Sequence, residues 1–283
     1  MNEAPGLTSI SVADSAGELR EYLIFVPTGK VRGLVVIFHP FGSRPELVMH
    51  GGTDGDYLVR PLTGAVSTAQ ALGLAVLAPR SRGRILDGVS LAWKGHLDAV
   101  WTLAASLRDG FGLTNIGAGG LSMGGLEALV FAGQHPEGIA AAWAANPIVD
   151  LARWSRDLCG PDSPDGGPGL ADLITTEVGG VPDEVPSEYR ARSPFDYLES
   201  LATVSVRIAW SQADTVIPNQ GTAHSHPLAA QLRTRGGDVF EDVVTHAPFD
   251  DYHDSGRIAH EACDVREGMG WLAELITSTG PRR

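Results

Sequence analysis

The hydrophobic pattern of the chain alternates between short apolar runs and longer amphipathic stretches. Gly33–Phe38 is an unbroken apolar run, which is typical of a strand buried on both faces of a sheet. Shorter runs of this kind are Ala75–Ala78, Asn115–Ala118, Ile139–Ala144 and Val204–Trp210, and Val239–Val244 is a further candidate strand. Leu19–Val26 alternates loosely and ends at Pro27, which predicts a hairpin strand at the edge of the sheet.

Helical patterns lie between these predicted strands. In Leu97–Leu107, for example, apolar residues recur at helical spacing and so share one face. The other predicted helices are Leu62–Leu72, Met123–His135, Pro227–Arg235 and Glu261–Thr277. Strands that alternate with helices predict an α/β fold whose central sheet is mostly parallel and is flanked by helices.

Residues 149–200 depart from this alternation. The stretch is rich in proline and glycine and is too long for a plain connection between two elements. Open α/β proteins bind their ligands at the carboxyl ends of the strands. We therefore predict one domain over residues 1–283, in which residues 149–200 form a cap-like insertion over that edge of the sheet.

The main chemical signal is the segment Gly120-Leu121-Ser122-Met123-Gly124-Gly125. It directly follows a predicted strand and directly precedes a predicted helix, which is the setting of a nucleophile elbow. Glycines two residues before and after the serine remove side chains that would collide in so sharp a turn. The start of the helix adds N–H donors and positive potential beside the serine oxygen. Ser122 is therefore the candidate nucleophile.

A serine nucleophile needs a general base, and the base needs an acid that orients it. In a fold with this elbow, the acid and then the histidine follow the serine along the chain. Asp214 and His246 each come shortly after a predicted strand and are the candidates. Two alternatives stay open. Asp150 could be the acid, although it begins the proline-rich insertion, and His253 could be the base, although it lies farther beyond its strand.

An oxyanion hole needs two backbone N–H donors. The residue after the nucleophile, Met123, is predicted to supply one of them. The other is expected from the loop after the strand Gly33–Phe38, where Phe41 is the candidate. Its neighbour Pro40 has no N–H, and Gly42 lets the loop turn back.

Two tryptophans, Trp93 and Trp154, are candidates for lining a substrate pocket, because they lie near predicted strand ends or in the insertion. The segment His224-Ser225-His226 has a spacing that could hold a metal ion, but the sequence offers no evident third ligand. We interpret this segment as a solvated loop before a helix. No metal and no organic cofactor is expected.

Composition narrows the range of partners. The chain has 283 residues with 21 Lys and Arg against 34 Asp and Glu, a net charge of −13, which argues against nucleic acid or an anionic membrane. No apolar stretch reaches the ~18 residues of a membrane-spanning helix, and the first residues show no signal-peptide pattern. A cytoplasmic protein with a small-molecule substrate is expected, and its oligomeric state is not predicted. Cys159 and Cys263 are expected to be unrelated thiols, with one disulfide as the alternative.

Together these features resemble the α/β-hydrolase superfamily, and within it the single-domain esterases and peptidases of the dienelactone hydrolase and prolyl oligopeptidase type. The segments that carry the resemblance are His39–Gly42, Gly120–Gly125, Arg192–Tyr197, Asp214–Pro218 and His246, which together span nearly the whole chain. The sequence departs from these relatives at Thr245, where they usually have glycine. It also departs from true dienelactone hydrolases, whose nucleophile is cysteine.

The resemblance implies an α/β-hydrolase fold and a serine hydrolase that cleaves a carboxylic ester, or an amide or thioester, through an acyl-enzyme on Ser122. One alternative is a biosynthetic acyltransferase, cyclase or lyase that uses the same triad. A second alternative, from a different class, is a protein that binds a small ligand without catalysis.

Overall fold

The computed structural model describes residues 6–50, 52–54, 57–59, 65–158, 168–244 and 265–278. The strands are β1 Leu7–Ala13, β2 Leu19–Phe25, β3 Gly33–Phe38, β4 Gly52–Asp54, β5 Tyr57–Val59, β6 Leu74–Pro79, β7 Ile116–Leu121, β8 Ile139–Ala145, β9 Ser205–Ser211 and β10 Val239–Val244. The helices are α1 Pro45–His50, α2 Ala65–Leu72, α3 Lys94–Gly110, α4 Met123–Gln134, α5 Leu151–Leu158, α6 Pro168–Val178, α7 Pro186–Ala191, α8 Leu198–Leu201, α9 Ser225–Thr234 and α10 Val265–Thr277, with a 3-10 turn at Pro194–Tyr197.

Eight strands form one sheet in the order β1-β2-β6-β3-β7-β8-β9-β10, and β4 and β5 form a separate hairpin. The strands from β6 to β10 in that order pair in parallel, whereas β2 is antiparallel to both of its neighbours. This arrangement is an α/β-hydrolase fold, as the sequence predicts. In a parallel sheet the carboxyl ends of the strands lie at one edge, where the loops after β3, β7, β8 and β9 meet.

The predicted position of Leu19–Val26 at the edge of the sheet is wrong. β2 lies inside the sheet, between β1 and β6, and β1 takes the edge. The hydrophobic pattern does not reveal β1 because most of its side chains are exposed and no apolar run marks it.

Side chains of the central strands pack on two cores. Every residue of β3 is buried, which explains its unbroken apolar run. Leu34, Val36 and Phe38 face the core that α3, α4 and α9 cover. Val35 and Ile37 face the opposite core, which α1, α2 and α10 cover. The helices thus cover both faces of the sheet, and the loops at the carboxyl ends of the strands are left to form the candidate site.

The described part of residues 149–200 folds into helices α5 to α8. A buried carboxylate ties it to the loop after β6. Glu177 of α6 accepts hydrogen bonds from the N–H groups of Arg84, Ile85 and Leu86, at 2.7, 2.9 and 3.0 Å. Arg192, also buried, lies 3.5 Å from the same carboxylate. That these residues cap the site stays a prediction.

Two further observations concern the chain as a whole. No helix among the described residues is long and apolar enough to span a membrane. Cys159 and Cys263 both lie outside the described residues, so the expectation of two unrelated thiols stays a prediction.

Candidate active site

Ser122 occupies the sharp turn between β7 and α4. Its backbone has φ 55° and ψ −118°, a conformation that L-residues rarely adopt and that the surrounding structure must enforce. The Ser122 N–H donates to the carbonyl of Ala145 at the end of β8, at 2.8 Å. Its carbonyl accepts from the N–H of Leu126, at 3.1 Å. The turn is therefore held from both sides, as a nucleophile elbow requires.

The glycines of the motif let two backbones approach closely. A Cβ on Gly120 would lie 2.3 Å from the carbonyl oxygen of Gly124. A Cβ on Gly124 would lie 2.3 Å from the carbonyl oxygen of Phe38 and 2.8 Å from that of His39. No side chain fits at either position, so the start of α4 lies directly beside the loop that follows β3.

That loop is ordered by the buried side chain of His39. The Nε2 atom of His39 accepts from the N–H of Ser81 at 2.9 Å, so the proton of the neutral ring is on Nδ1. Nδ1 then donates to the carbonyl of Pro40 at 2.8 Å. Among the described residues, the N–H groups of Phe41 and Met123 donate to no backbone carbonyl or side chain. Their role as oxyanion donors stays a prediction.

The carboxylate of Asp214 is held in one orientation within the loop after β9. The side chain is 6% exposed, and Oδ1 accepts from the N–H groups of Val216 and Ile217 at 2.9 and 3.0 Å. Oδ2 accepts from the Nε2 of Gln220 at 3.3 Å, and Gln220 also donates to the carbonyl of Pro147. Sequence reasoning missed Gln220, since nothing local marks it.

Hydrogen bonds across the strand ends link the elbow to the acid loop. Ser122 bonds to the end of β8, as described above. Asn146, the first residue after β8, donates its N–H to the carbonyl of Ala209 at 2.8 Å, and its Oδ1 accepts from the N–H of Ser211 at 2.8 Å. Neighbouring strands lie about 4.8 Å apart, so the ends of β7 and β9, which precede Ser122 and the Asp214 loop, are about 10 Å apart across two spacings. Sequence reasoning also missed Asn146, although an Asn-Pro pair after a buried strand signals a turn.

Of the alternative residues for the acid and the base, the structure describes Asp150 but neither histidine. Asp150 Oδ1 accepts from the N–H of Arg153 at 2.9 Å, so this side chain caps the start of α5. This local role favours Asp214 as the acid. His246 and His253 both lie outside the described residues. The last residue of β10, Val244, pairs with Ser211 at the end of β9.

The two tryptophans predicted to line a pocket have different surroundings. Trp154 of α5 donates its indole N–H to the carbonyl of Val216 at 3.0 Å, and its ring meets that of Phe41 edge to face at 6.5 Å. It therefore joins the acid loop to the loop after β3, and it is only 2% exposed. Trp93 is half-buried, and the guanidinium of Arg20 lies 5.6 Å from its ring centre. Their contact with a substrate stays a prediction.

The prediction of a solvated loop at His224 is wrong. His224 is buried, and its Nδ1 accepts from the N–H groups of Val149 and Asp150, both at 3.2 Å. Burial lowers the pKa of this imidazole to about 4, so it is neutral and braces the chain after β8. His226 is exposed, and its Nδ1 lies 2.9 Å from Glu241. Within the described ranges, no group of three or more His, Cys, Asp or Glu side chains could hold a metal ion.

Two further ionisable side chains are buried behind the loop after β3. Burial raises the pKa of Glu127 in α4 to about 8. Burial lowers the pKa of His96 in α3 to about 3, and its ring lies edge-on to that of Phe38 at 6.4 Å. Neither ring nitrogen of His96 has a partner among the described residues. Both groups are therefore mainly uncharged at neutral pH.

The model of one protein family matches most of this chain. The prolyl oligopeptidase family, a family of serine peptidases, matches residues 99–278. The chain belongs to the prolyl oligopeptidase family. The match includes the nucleophile elbow, the helices of residues 149–200 and the acid loop. No curated protein matches the sequence.

Solved structures share the fold of this prolyl oligopeptidase family member. A thermostable esterase is 21% identical, with a TM-score of 0.60, over 95% of this chain and 63% of its own. An S-formylglutathione hydrolase from Agrobacterium tumefaciens is 17% identical, with a TM-score of 0.61, over 97% of this chain and 98% of its own. An acylaminoacyl peptidase from Pyrococcus horikoshii is 14% identical, with a TM-score of 0.63, over 99% of this chain and 44% of its own. The chain thus spans less than two thirds of that esterase and of that peptidase.

Proposed function

We propose that this chain is a serine hydrolase that cleaves carboxylic esters through an acyl-enzyme on Ser122. The observation that carries the proposal is the enforced backbone conformation of Ser122, with φ 55° between a buried strand and the start of α4. Such strain persists where it serves a function, and here it would present the serine oxygen at the carboxyl edge of the sheet.

In the proposed reaction, Ser122 Oγ attacks the ester carbonyl carbon while His246 accepts the serine proton. Asp214 holds the imidazole by its other nitrogen and stabilises the imidazolium that forms. The fixed carboxylate of Asp214, held by two N–H groups and Gln220, supports this role because it needs no reorganisation during the reaction.

The tetrahedral intermediate then collapses. The bond between the carbonyl carbon and the alcohol oxygen breaks, and His246 returns the proton to the departing alcohol. A water molecule next gives a proton to His246 as its oxygen attacks the acyl carbon. The second collapse releases the carboxylic acid and returns the proton to Ser122, so all atoms and charges balance.

The N–H groups of Phe41 and Met123 would bind the oxyanion of both intermediates. Their freedom from other acceptors among the described residues supports this assignment, as does the close approach of Gly124 to the end of β3. Loss of one such donor typically costs about 2.7–4 kcal/mol of transition-state stabilisation. A proline in place of Phe41 would remove one donor.

The substrate pocket would lie between the two loops that Trp154 joins, under the helices of residues 149–200. Trp154 would form an inner wall and Trp93 a second wall. A small ester is the proposed substrate, and the steps above use no metal or organic cofactor.

The test is hydrolysis of p-nitrophenyl esters of increasing acyl length by wild type and three variants. Ser122→Ala and His246→Ala are expected to lose activity by about three orders of magnitude or more, whereas His253→Ala keeps it. Full activity of Ser122→Ala would overturn the proposal. Loss with His253→Ala instead of His246→Ala would reassign the base. Labelling of Ser122 by a fluorophosphonate without ester hydrolysis would favour acyl transfer to another acceptor.

A further inference from the structure

A buried carboxyl group lies behind the proposed oxyanion hole. Glu127 follows Ser122 by five residues in α4 and is fully buried. The hydroxyl of Ser81 donates to its two oxygens, at 3.1 and 2.9 Å, and the hydroxyl of Ser90 donates to Oε1. Within the described residues no cation pairs with Glu127. A buried carboxyl without a cation costs free energy relative to an apolar residue, so packing alone does not account for it.

A chain of hydrogen bonds leads from Glu127 to Phe41. The backbone N–H of Ser81, whose hydroxyl bonds Glu127, donates to His39 Nε2 at 2.9 Å. His39 Nδ1 donates to the carbonyl of Pro40 at 2.8 Å. This carbonyl and the N–H of Phe41 belong to the same planar peptide unit. Fixing the Pro40 oxygen therefore fixes the direction of the Phe41 N–H.

The second partner of Glu127 holds a strained segment. Leu91 and Ala92 have φ 47° and 57°, in the left-handed region that side chains disfavour. Ser90 precedes them, and its carbonyl accepts from Arg192 at 2.9 Å. The segment leads directly to Trp93. Strain of this kind persists only where neighbours enforce it, and Glu127 and Arg192 are such neighbours.

We propose that Glu127 is a positioning residue, which acts through Ser81 and Ser90 to hold the oxyanion loop and the Trp93 segment in their active geometry. This inference rests on the proposed function. Glu127 does not touch the substrate. It connects α4, which begins directly after Ser122, to the loop after β3 and to the segment before Trp93. The proposed oxyanion donors and the nucleophile thereby keep their distances from one another.

The test compares kcat and KM for one p-nitrophenyl ester among variants at a temperature where all are folded. Glu127→Leu removes both hydrogen bonds and is expected to lower kcat about 10-fold or more with little change in KM, because oxyanion donors act in the transition state. Glu127→Gln keeps the hydrogen-bonding shape and is expected to stay within about threefold of wild type. Ser81→Ala is a smaller change that removes one of the hydrogen bonds to Glu127, and it is also expected to lower kcat. It provides the test if Glu127→Leu does not fold.

Ser205→Ala is the matched control. Ser205 also donates to a carboxylate, that of Asp238, at 2.9 Å, but at the start of β9, away from the site. It is expected to keep wild-type kcat. If wild type reacts at Ser122 and the folded variants Ser81→Ala and Glu127→Leu have the same kcat as wild type, the inference is overturned but the proposed function is not. A wild type that neither hydrolyses esters nor labels at Ser122 would instead overturn the proposed function, and the inference with it.

Discussion

Gly124 shows at the scale of one residue how the elbow depends on an absent side chain. A Cβ there would lie 2.3 Å from the carbonyl oxygen of Phe38, a backbone atom that cannot move aside easily. Gly124→Ala is expected to lower the free energy of unfolding by about 1–3 kcal/mol, because the two backbones must separate. It is also expected to lower kcat, since the same approach positions the proposed oxyanion donors. Urea denaturation and ester hydrolysis measure the two effects.

Gly110→Ala is the control for that substitution. Gly110 ends α3, and a Cβ there would meet no atom within 4 Å. Alanine at this position is expected to leave kcat unchanged and to raise stability by up to about 1 kcal/mol. Equal stability and activity of the two variants would contradict the structural role assigned to Gly124.

The nucleophile elbow could be predicted from residues adjacent in the sequence, but the residues that hold it in place could not. Ser122 and its glycines could be predicted because a tight turn constrains residues that are adjacent in the chain. Asn146 and Glu127 act on Ser211 and Ser81, which lie 65 and 46 residues away. Such pairings depend on the topology of the sheet, and a single sequence does not reveal them.

At the scale of elements, the continuous apolar run Gly33–Phe38 predicted the buried strand β3 with its bounds. β10 also has the predicted bounds, although it includes Glu241 and Asp242 and none of its residues is fully buried. β7 extends beyond the predicted Asn115–Ala118 to Leu121. Strand β7 was underestimated because its glycines carry no hydrophobic signal. The helices of residues 149–200 were missed because proline and glycine there begin and end short helices rather than exclude them.

The buried pair Arg192–Glu177 gives a prediction about how these helices are attached. Its side chains are 3% and 0% exposed. Arg192→Met leaves a buried carboxylate without its cation and is expected to cost about 3–5 kcal/mol of stability. The exposed pair Arg156–Asp183, at 52% and 84%, is the control, and Arg156→Met is expected to cost less than about 1 kcal/mol. Similar urea midpoints for both variants would contradict the anchoring role of Arg192.

For the whole molecule, buried titratable groups set the pH of maximum stability. The folded protein raises the pKa of Glu127 from 4.5 to about 8. It therefore keeps a proton that the unfolded chain releases, and stability falls as the pH rises from 4.5 to 8. The folded protein lowers the pKa of His96 from 6.5 to about 3, so stability is lost as the pH falls from 6.5 to 3. Burial also lowers the pKa of His224 from 6.5 to about 4, so between pH 4.5 and 6.5 the two histidines together outweigh Glu127. Maximum stability is therefore expected near pH 6.5.

Urea denaturation at several pH values tests this balance. One proton corresponds to a slope of about 1.4 kcal/mol per pH unit. In wild type the free energy of unfolding is expected to fall between pH 6.5 and 8, and Glu127→Gln, which cannot ionise, is expected to remove most of that fall. An unchanged slope in Glu127→Gln would show that another group titrates.

The central claim is that Ser122 is the nucleophile of this prolyl oligopeptidase family member. The most direct measurement is covalent labelling by a fluorophosphonate, which reacts with activated serines and is not released, followed by peptide mass mapping. The account predicts one adduct, on the peptide that contains Ser122, with no adduct in Ser122→Ala and slower labelling in His246→Ala. An unlabelled wild type, or an adduct on a different residue, would contradict it.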